Sequence, residues 1–476
     1  MLFVDLKKNE TMYKGEIKLR EKIGYGLGDA ASSMFWKIFG MYSLFFYTDV
    51  FGITAAAAGT MFLIARVWDS FFDLLVGIVS DRTKTKWGCY RPYILWFAIP
   101  FAVMGIITFY VPDFGQTGKL VYAYVTYSLM MIVYSLINVP YASLLGVMSS
   151  DTKVRNTLSS YRMSFAFIGS FITFMLLQPL INFFAGDDSM QTTVSTSPKG
   201  WVLGVAVIGA FCSILFLFCF LWTKERVKQI KDDEETSVKK DLKLLLKNTP
   251  WWILVGTGLA SLLFNAIRDG AAIYYFRDYV KISYNMPLTG WDMTTIYFLV
   301  GQAANLVGVM AAPALSRKYG KRKTYMLATV LAAILSVIFF FIPCQITWIL
   351  ILQVLISVCA GYVLPLLWSM FADIADYQEL KTGRRATGLI FSSSSMSQKL
   401  GWALGAALTG WILFWFGYDN ELVEQNAETI FGERMMLSIL PAISCGIALI
   451  GMFFYPLSDK VVKENSEALE AKRQRK

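Results

Sequence analysis

Long apolar segments alternate with short polar connections along this chain. A helix that crosses a bilayer needs about 20 predominantly apolar residues. Twelve segments satisfy that length, at positions 24–50, 55–80, 93–112, 120–148, 161–185, 200–223, 250–280, 292–314, 324–344, 346–372, 388–416 and 434–457. The pattern predicts an all-α membrane protein with twelve transmembrane helices.

The longest polar stretch divides these segments six and six, and the two groups resemble each other. Basic loops, SDRTKTKWGCYRPY and SRKYGKRKTY, follow the second and eighth segments, and Pro140 and Pro365 interrupt the fourth and tenth. Paired interruptions indicate a transporter with its site between two repeats, although isolated helix kinks are the alternative. We predict pseudo-symmetric halves at 1–222 and 250–457, a cytoplasmic linker at 223–249 and a cytoplasmic tail at 458–476.

Composition and charge agree with a membrane protein and exclude several functions. Only 16% of the residues are charged, against roughly 25% in an average soluble domain. Lys and Arg concentrate in alternate loops, which places both termini in the cytoplasm. This bias explains the net charge of +10 without a nucleic-acid partner, because basic loops face anionic lipid. The outer loops carry few basic residues, namely Lys119, Lys199, Arg277, Lys281 and Arg434.

The chain contains few of the residue types that enzyme active sites commonly use. It contains no histidine, which excludes histidine metal sites, histidine-based triads and histidine proton relays. The six cysteines are scattered singly and indicate apolar packing rather than a disulfide framework or metal site. The charged N-terminus lacks the apolar core of a signal peptide. We therefore predict a protein that is not an enzyme and holds no cofactor.

Two aspartates inside the second segment are the strongest functional candidates. Asp69 and Asp73 are four residues apart and share a helix face with Arg66. A carboxylate near the bilayer centre costs about 2.5–3.5 kcal/mol on insertion scales, so this face is predicted to point inward, towards water, a cation or a counter-charge. A purely structural salt-bridge cluster is the alternative.

Polar residues of other segments supply candidate substrate ligands. Asp29 and Ser33 are four apart in the first segment, and Tyr134 and Asn138 share a face of the fourth. Their hydroxyl, carboxylate and amide groups suit a polyol, whereas interhelical hydrogen bonding is the alternative. Further candidates are Arg162, in the helix or its loop, Trp368 as a stacking surface, and Lys399, which needs a carboxylate partner such as Asp69 or Asp73.

These motifs resemble one family. The stretches WDSFFDLLVGIVSDRTKTKWGCYRPY, GYGLGDAASSMFW, NVPYASL and ADIADY, with the lysine of SQKLGWALGAALTG, are similar to the glycoside-pentoside-hexuronide:cation symporters, the sugar branch of the major facilitator fold. The resemblance implies a cation site at Asp69, Asp73, Ser135 and Lys399. It also implies a sugar pocket near Ser33, Asn138 and Arg162, where the first two replace aspartates of melibiose permease, and a cytoplasmic gate at Asp81, Arg82, Arg384 and Arg385.

Two departures from the family affect the coupling ion. Phe72 stands where relatives often have an oxygen-bearing side chain that contacts Na⁺, and Leu74 stands where many have proline. Na⁺ prefers several oxygen ligands, whereas proton coupling requires only a buried carboxylate that can be protonated. Both ions stay open, and the departures favour H⁺.

The sequence therefore predicts a bacterial inner-membrane symporter that imports a glycoside or oligosaccharide with H⁺ or Na⁺ by alternating access. We expect a monomer whose partners are the sugar, the cation and the lipid bilayer. Two alternatives stay open: a transporter of the same fold for another substrate, such as an amphipathic lipid, and a non-transporting membrane sensor.

Overall fold

A computed structural model of the chain describes residues 17–149, 152–186, 195–226, 243, 245–281, 291–382, 387–422 and 424–474. Within these ranges, helices cover all twelve predicted segments. The first six are α1 (Leu19–Lys37, continued by further helical turns to Val50), α2 (Ala55–Arg82), α3 (Arg91–Thr108), α4 (Gln116–Met148), α5 (Thr152–Ala185) and α6 (Pro198–Trp222).

The second group has the same number of helices. It comprises α7 (Thr249–Tyr274, continued by π-helical turns Tyr275–Val280), α8 (Met293–Tyr319), α9 (Lys321–Phe341), α10 (Ile346–Thr382), α11 (Thr387–Trp415) and α12 (Ala427–Leu437 and Ile439–Phe453). A polar helix, α13 (Asp459–Gln474), occupies most of the predicted tail. Its exposed face carries pairs spaced four residues apart, such as Lys460–Glu464.

Helices are the expected elements because hydrocarbon offers no partner for a free backbone N–H or C=O. Nine of the twelve, within the described residues, are long and apolar enough by length and composition to cross a membrane. The other three are α1, α2 and α11. Each of these contains charged residues inside its predicted membrane segment, including Asp29, Asp69 and Lys399.

Several helices extend beyond the apolar segments that predicted them. α1 begins at Leu19 rather than at 24, α5 begins at Thr152 rather than at 161, and α10 continues to Thr382 rather than ending at 372. Hydropathy detects only the part of a helix that crosses hydrocarbon, so polar helical ends escape it. One consequence is that Arg162 lies well inside α5, not in a loop.

The regular helical geometry is interrupted in α1, α7 and α12. The continuation of α1 contains the π-helical turns Ile38–Tyr42 and Phe46–Val50, and α7 ends in the π-helical turns Tyr275–Val280. α12 is broken at Ser438, whose backbone angles of φ −132° and ψ −81° are not helical. Interruptions of this kind free backbone carbonyls, which then need other donors.

The chain forms two compact units. Among the described residues, one unit comprises those within 1–53, 64–232 and 285–292, and the other comprises those within 54–63, 233–284 and 293–476. In the first unit, α1 packs against α5 and α6, with Gly169 of α5 directly against the backbone of Ala30. In the second, α7 packs against α11 and α12, and Gly308 and Gly361 bring α8 and α10 together. Small residues permit such close helix contacts in membranes.

Candidate functional site

Asp69 is almost completely buried in the first unit and has two polar neighbours. It is 1% exposed, and the Ser135 hydroxyl of α4 donates to Asp69 Oδ1 at 2.5 Å. Arg66 Nη1, one turn earlier on α2, lies 3.7 Å from Asp69 Oδ2. The structure thus brings together the carboxylate and hydroxyl that the sequence assigned to a cation site.

Arg66 is held in place by an aromatic side chain of α1. Its guanidinium carbon lies 4.4 Å from the centre of the Trp36 ring, and the Trp36 ring lies 6.0 Å from that of Tyr134 on α4. A cation over a tryptophan face gains roughly 0.5–2 kcal/mol, more when desolvated. The charge cluster is therefore built from three helices, α1, α2 and α4.

Asp73 follows Asp69 by one helical turn and is half-buried. Spacing of four residues places both carboxylates on one face of α2. Together with Ser135 they offer hard oxygen atoms, the donor type that alkali and alkaline-earth cations prefer. Their joint role as a cation site stays a prediction.

A second ion pair joins α1 to α5. Arg162 Nε lies 3.3 Å from Asp29 Oδ2, and its guanidinium carbon lies 5.5 Å from the Tyr141 ring. Tyr141 stacks on Tyr25 at 4.9 Å and donates its hydroxyl to the Tyr25 carbonyl at 2.6 Å. Asp29 is buried, whereas the Arg162 side chain is 32% exposed. The pair therefore has a partly open cationic side.

The remaining substrate candidates of the first unit are half-buried. Ser33 lies on α1, one turn after Asp29. On α4, Tyr134 and Asn138 are four residues apart and share a face, and the Asn138 amide donates to the Tyr134 backbone carbonyl at 3.0 Å. Their role in binding a sugar stays a prediction.

Two candidates belong to the second unit. Trp368 on α10 and Lys399 on α11 are both half-buried. The predicted pairing of Lys399 with Asp69 or Asp73 joins different units and stays a prediction. Next to Lys399, Gly401 and Gly405 pack α11 closely onto Leu262 and Ala266 of α7.

A charged pair in α7 was not among the predicted site residues. Arg268 and Asp269 lie within the predicted segment 250–280, and the motif NAIRDGAA contains them. Arg268 is 4% exposed, whereas Asp269 is half-buried. The same rule that identified Asp69, that an ionisable residue inside a membrane segment is a functional candidate, applies to both.

The predicted gate residues lie at the end of α2. Asp81 and Arg82 are exposed, and the Tyr90 hydroxyl donates to Asp81 Oδ1 at 2.8 Å. Arg384 and Arg385 lie outside the described residues. The gating role of all four stays a prediction.

A carboxylate from the far end of the first unit caps α3. Glu225 accepts from the backbone N–H groups of Cys89, Tyr90 and Arg91 at 2.8, 2.8 and 2.9 Å. A positive φ of 114° at Gly88 turns the loop so that these groups converge. Burial and the negative charges of Glu225 and Asp81 raise the pKa of the Cys89 thiol, which keeps it protonated and unreactive.

Glu225→Gln is expected to destabilise the first unit. The substitution removes the charge that complements three N–H groups at a helix N-terminus, which contributes about 1–2 kcal/mol in a partly buried site. Thermal unfolding of the purified protein in detergent measures the loss. The matched control is Glu424→Gln, because its pair with Lys281 is largely exposed. Equal melting temperatures for both variants would contradict the capping role.

Solved structures with the same helix arrangement are all-helical transporters. The nucleoside transporter NupG superposes with a TM-score of 0.60 over 93% of this chain and 100% of that chain, at 16% identity. A bacterial homologue of the human lysosomal transporter Spinster, inward-facing and unoccupied, has a TM-score of 0.65 over 94% of this chain and 97% of that one, at 12% identity. At these identities the likeness concerns the fold, and the predicted major facilitator fold is confirmed.

Sequence relatives extend the likeness to a family. The profile of the family described as MFS/sugar transport protein matches residues 24–459. The putative glycoside/cation symporter YagG of Escherichia coli K12 is 34% identical over 95% of both chains. The inner membrane symporter YicJ of the same strain is 35% identical over 95% of both chains. The isoprimeverose transporter of Lactiplantibacillus pentosus is 33% identical over 97% of this chain and 93% of its own. This multi-pass membrane protein is a transporter rather than an enzyme, and it belongs to the glycoside-pentoside-hexuronide:cation symporter family.

Proposed function

We propose that this protein imports a glycoside or oligosaccharide together with a cation, by alternating access, as a monomer in a bacterial inner membrane with both termini in the cytoplasm. The observation that carries the proposal is the buried carboxylate of Asp69 beside the Ser135 hydroxyl and the Arg66 guanidinium. A bilayer-embedded charge of this kind is retained chiefly where it serves transport.

The cation binds, in this proposal, at Asp69 and Asp73 with Ser135 as a hydroxyl ligand. Asp69 already faces one fixed positive charge, Arg66 at 3.7 Å. An incoming cation therefore neutralises the second carboxylate, Asp73, and leaves the cluster near electroneutrality. A neutral cluster is less costly to move through a low-dielectric region than a charged one. Lys399 of the second unit is also assigned to this site, and in the proposal it balances Asp73 while the cation is absent.

The sugar binds, in this proposal, next to the Asp29–Arg162 pair. Arg162 is partly exposed and carries several N–H donors in a rigid plane, which suits hydroxyl oxygens. Ser33, Tyr134 and Asn138 are further hydrogen-bonding groups on α1 and α4. Relatives named as a glycoside/cation symporter and an isoprimeverose transporter support a glycoside as the substrate class.

Protons are the proposed coupling ion. Phe72, the residue before Asp73 on α2, contributes no oxygen, so the side chains assigned to the site leave a Na⁺ ion with fewer ligands than it prefers. A carboxylate needs no further ligand to accept a proton. Na⁺ is the alternative coupling ion.

Transport in proteoliposomes tests the proposal. Purified protein is reconstituted, and uptake of a panel of radiolabelled glycosides is followed under an imposed proton gradient and, separately, a Na⁺ gradient. We expect concentrative uptake of at least one glycoside driven by the proton gradient and abolished by a protonophore. No uptake of any glycoside by protein that is shown to be folded would refute the function, and uptake driven by Na⁺ alone would refute the choice of ion. Protein-dependent movement of a fluorescent lipid analogue in place of sugar uptake would favour the lipid alternative.

A further inference from the structure

Helix α7 contains two adjacent charges that the proposed cation and sugar sites do not use. Arg268 and Asp269 are consecutive, so on a helix they point about 100° apart. Their environments differ accordingly, since Arg268 is 4% exposed and Asp269 is half-buried. Arg268 therefore contacts the interior of the second unit, whereas Asp269 lies on a partly exposed side of α7.

Arg268 is fixed inside the second unit by three helices. Its guanidinium donates to the Tyr297 hydroxyl of α8 at 2.9 Å and to Gln353 Oε1 of α10 at 2.9 Å. It also donates to the Leu437 carbonyl, which is released by the break of α12 at Ser438. Charge-assisted hydrogen bonds to three separate elements define the rotation of α7 about its own axis.

Two faces of α7 are occupied by neighbouring helices. Leu262 and Ala266 contact Gly401 and Gly405 of α11. On the side of Arg268, Thr257 contacts Gly451 of α12 and the Ser261 hydroxyl is hydrogen-bonded to Tyr325 of α9. At 3.6 residues per turn, the sector between these two faces contains Asn265 and Asp269.

Asn265 and Asp269 therefore form one polar, half-buried strip on α7. They are four residues apart and share a face, and both keep partial exposure in a segment whose neighbours are mostly buried. The Asn265 amide donates one N–H to the Ser261 carbonyl at 3.1 Å, which leaves its second N–H and its oxygen. With the carboxylate of Asp269, the strip offers hydrogen-bond donor and acceptor atoms of the kind that vicinal hydroxyls of a sugar require.

We propose that Asp269 and Asn265 bind hydroxyl groups of the transported glycoside and help to determine which sugar is accepted, with Arg268 as the positioning residue. The inference rests on the proposed function. A carboxylate facing the substrate discriminates strongly, because a sugar lacking the matching hydroxyl leaves it without that hydrogen bond.

Sugar affinity and transport rate, measured separately, test the inference. For Asp269→Asn we expect the half-saturating sugar concentration in counterflow to rise at least about tenfold, since a hydrogen bond to a charged group is lost. The maximal rate is expected to stay within about twofold of the parent protein. Asn265→Ala is expected to raise the same concentration several-fold. Asp113→Asn, an exposed loop carboxylate, is the matched control.

Arg268→Lys tests positioning. Lysine keeps the charge but not the planar fork that reaches three acceptors, so we expect sugar affinity to fall while the melting temperature without sugar changes less than for Arg268→Ala. If Asp269→Asn fails to fold, Asn265→Ala and Asp269→Glu carry the test, with a sugar-induced thermal shift as readout.

Two outcomes would overturn the inference. In the first, the parent protein transports sugar, and the Asp269→Asn and Asn265→Ala variants bind that sugar with the same affinity as the parent protein. The other is an Asp269→Asn variant that loses gradient-driven accumulation yet binds sugar normally, because that identifies a coupling group rather than a sugar ligand. A parent protein that transports no glycoside contradicts the proposed function itself and is thereby distinguished from both.

Discussion

Replacing Asp69 by asparagine is expected to abolish cation-driven accumulation of sugar. The variant keeps the side-chain shape but removes the charge that accepts from Ser135 at 2.5 Å and faces Arg66 at 3.7 Å. Hydrogen bonds to a charged group contribute about 1.5–3 kcal/mol each. Cation affinity is therefore expected to fall by about 10-fold to 100-fold, and Arg66 is left as an excess buried charge.

Graded variants separate this effect from a general loss of structure. Ser135→Ala removes one hydrogen bond and is expected to weaken cation affinity less than Asp69→Asn, whereas Ser135→Thr keeps the hydroxyl and most of the function. Asp73→Asn removes the second proposed carboxylate and is expected to lose coupling as well. Asp113→Asn, in the exposed loop after α3, is the control and is expected to transport normally.

The decisive measurements are accumulation under an imposed gradient and sugar binding at equilibrium. Loss of accumulation with retained sugar-induced stabilisation supports a cation site at Asp69. Full accumulation by folded Asp69→Asn, or by folded Asp73→Asn, contradicts the role of that carboxylate.

Replacing Arg162 by glutamine is expected to be the most destabilising single change in the first unit. It leaves Asp29 buried without the guanidinium that lies 3.3 Å away. Breaking a buried ion pair by removing one partner costs about 3–5 kcal/mol, and the one-third exposure of Arg162 places the expected loss at the lower end of that range.

A double variant distinguishes packing from function. Asp29→Asn combined with Arg162→Gln removes both charges, so we expect it to recover much of the lost stability. Sugar affinity is expected to stay low, because the proposed hydroxyl donors of Arg162 are gone. Thermal unfolding and sugar-induced shifts of the two single variants and the double variant form a complete cycle.

An exposed pair provides the reference for that cycle. Lys460 and Glu464 lie 3.9 Å apart on α13 with both side chains mostly exposed, and Lys460→Gln is expected to change stability by less than about 0.5 kcal/mol. If Arg162→Gln is no more destabilising than this control, the Asp29 pair is not structural. If the double variant binds sugar like the parent protein, the pair is not part of the sugar site.

The helices themselves were predictable from the sequence by a local rule. Each helix satisfies its own backbone hydrogen bonds, so a run of apolar residues is enough to identify it. Charge inside such a run is equally visible, which is how Asp29, Asp69 and Lys399 were found. Arg268 and Asp269 carry the same signal and were accessible to the same reasoning. The ends were less predictable, as Thr152 and Thr382 show, because polar helical turns outside hydrocarbon have no hydropathy signature.

The sequence by itself determined a twelve-helix membrane transporter of the sugar/cation symporter family and the faces on which its charges lie. Only the tertiary structure decided the partners of those charges. Asp69 is hydrogen-bonded to Ser135, 66 residues away, and Glu225 is hydrogen-bonded to Cys89 before α3, 136 residues away. Asp29 forms its ion pair with Arg162 of a distant helix. Local periodicity orients a side chain on its own helix, whereas its partner depends on how distant helices pack, and that is a property of the whole fold.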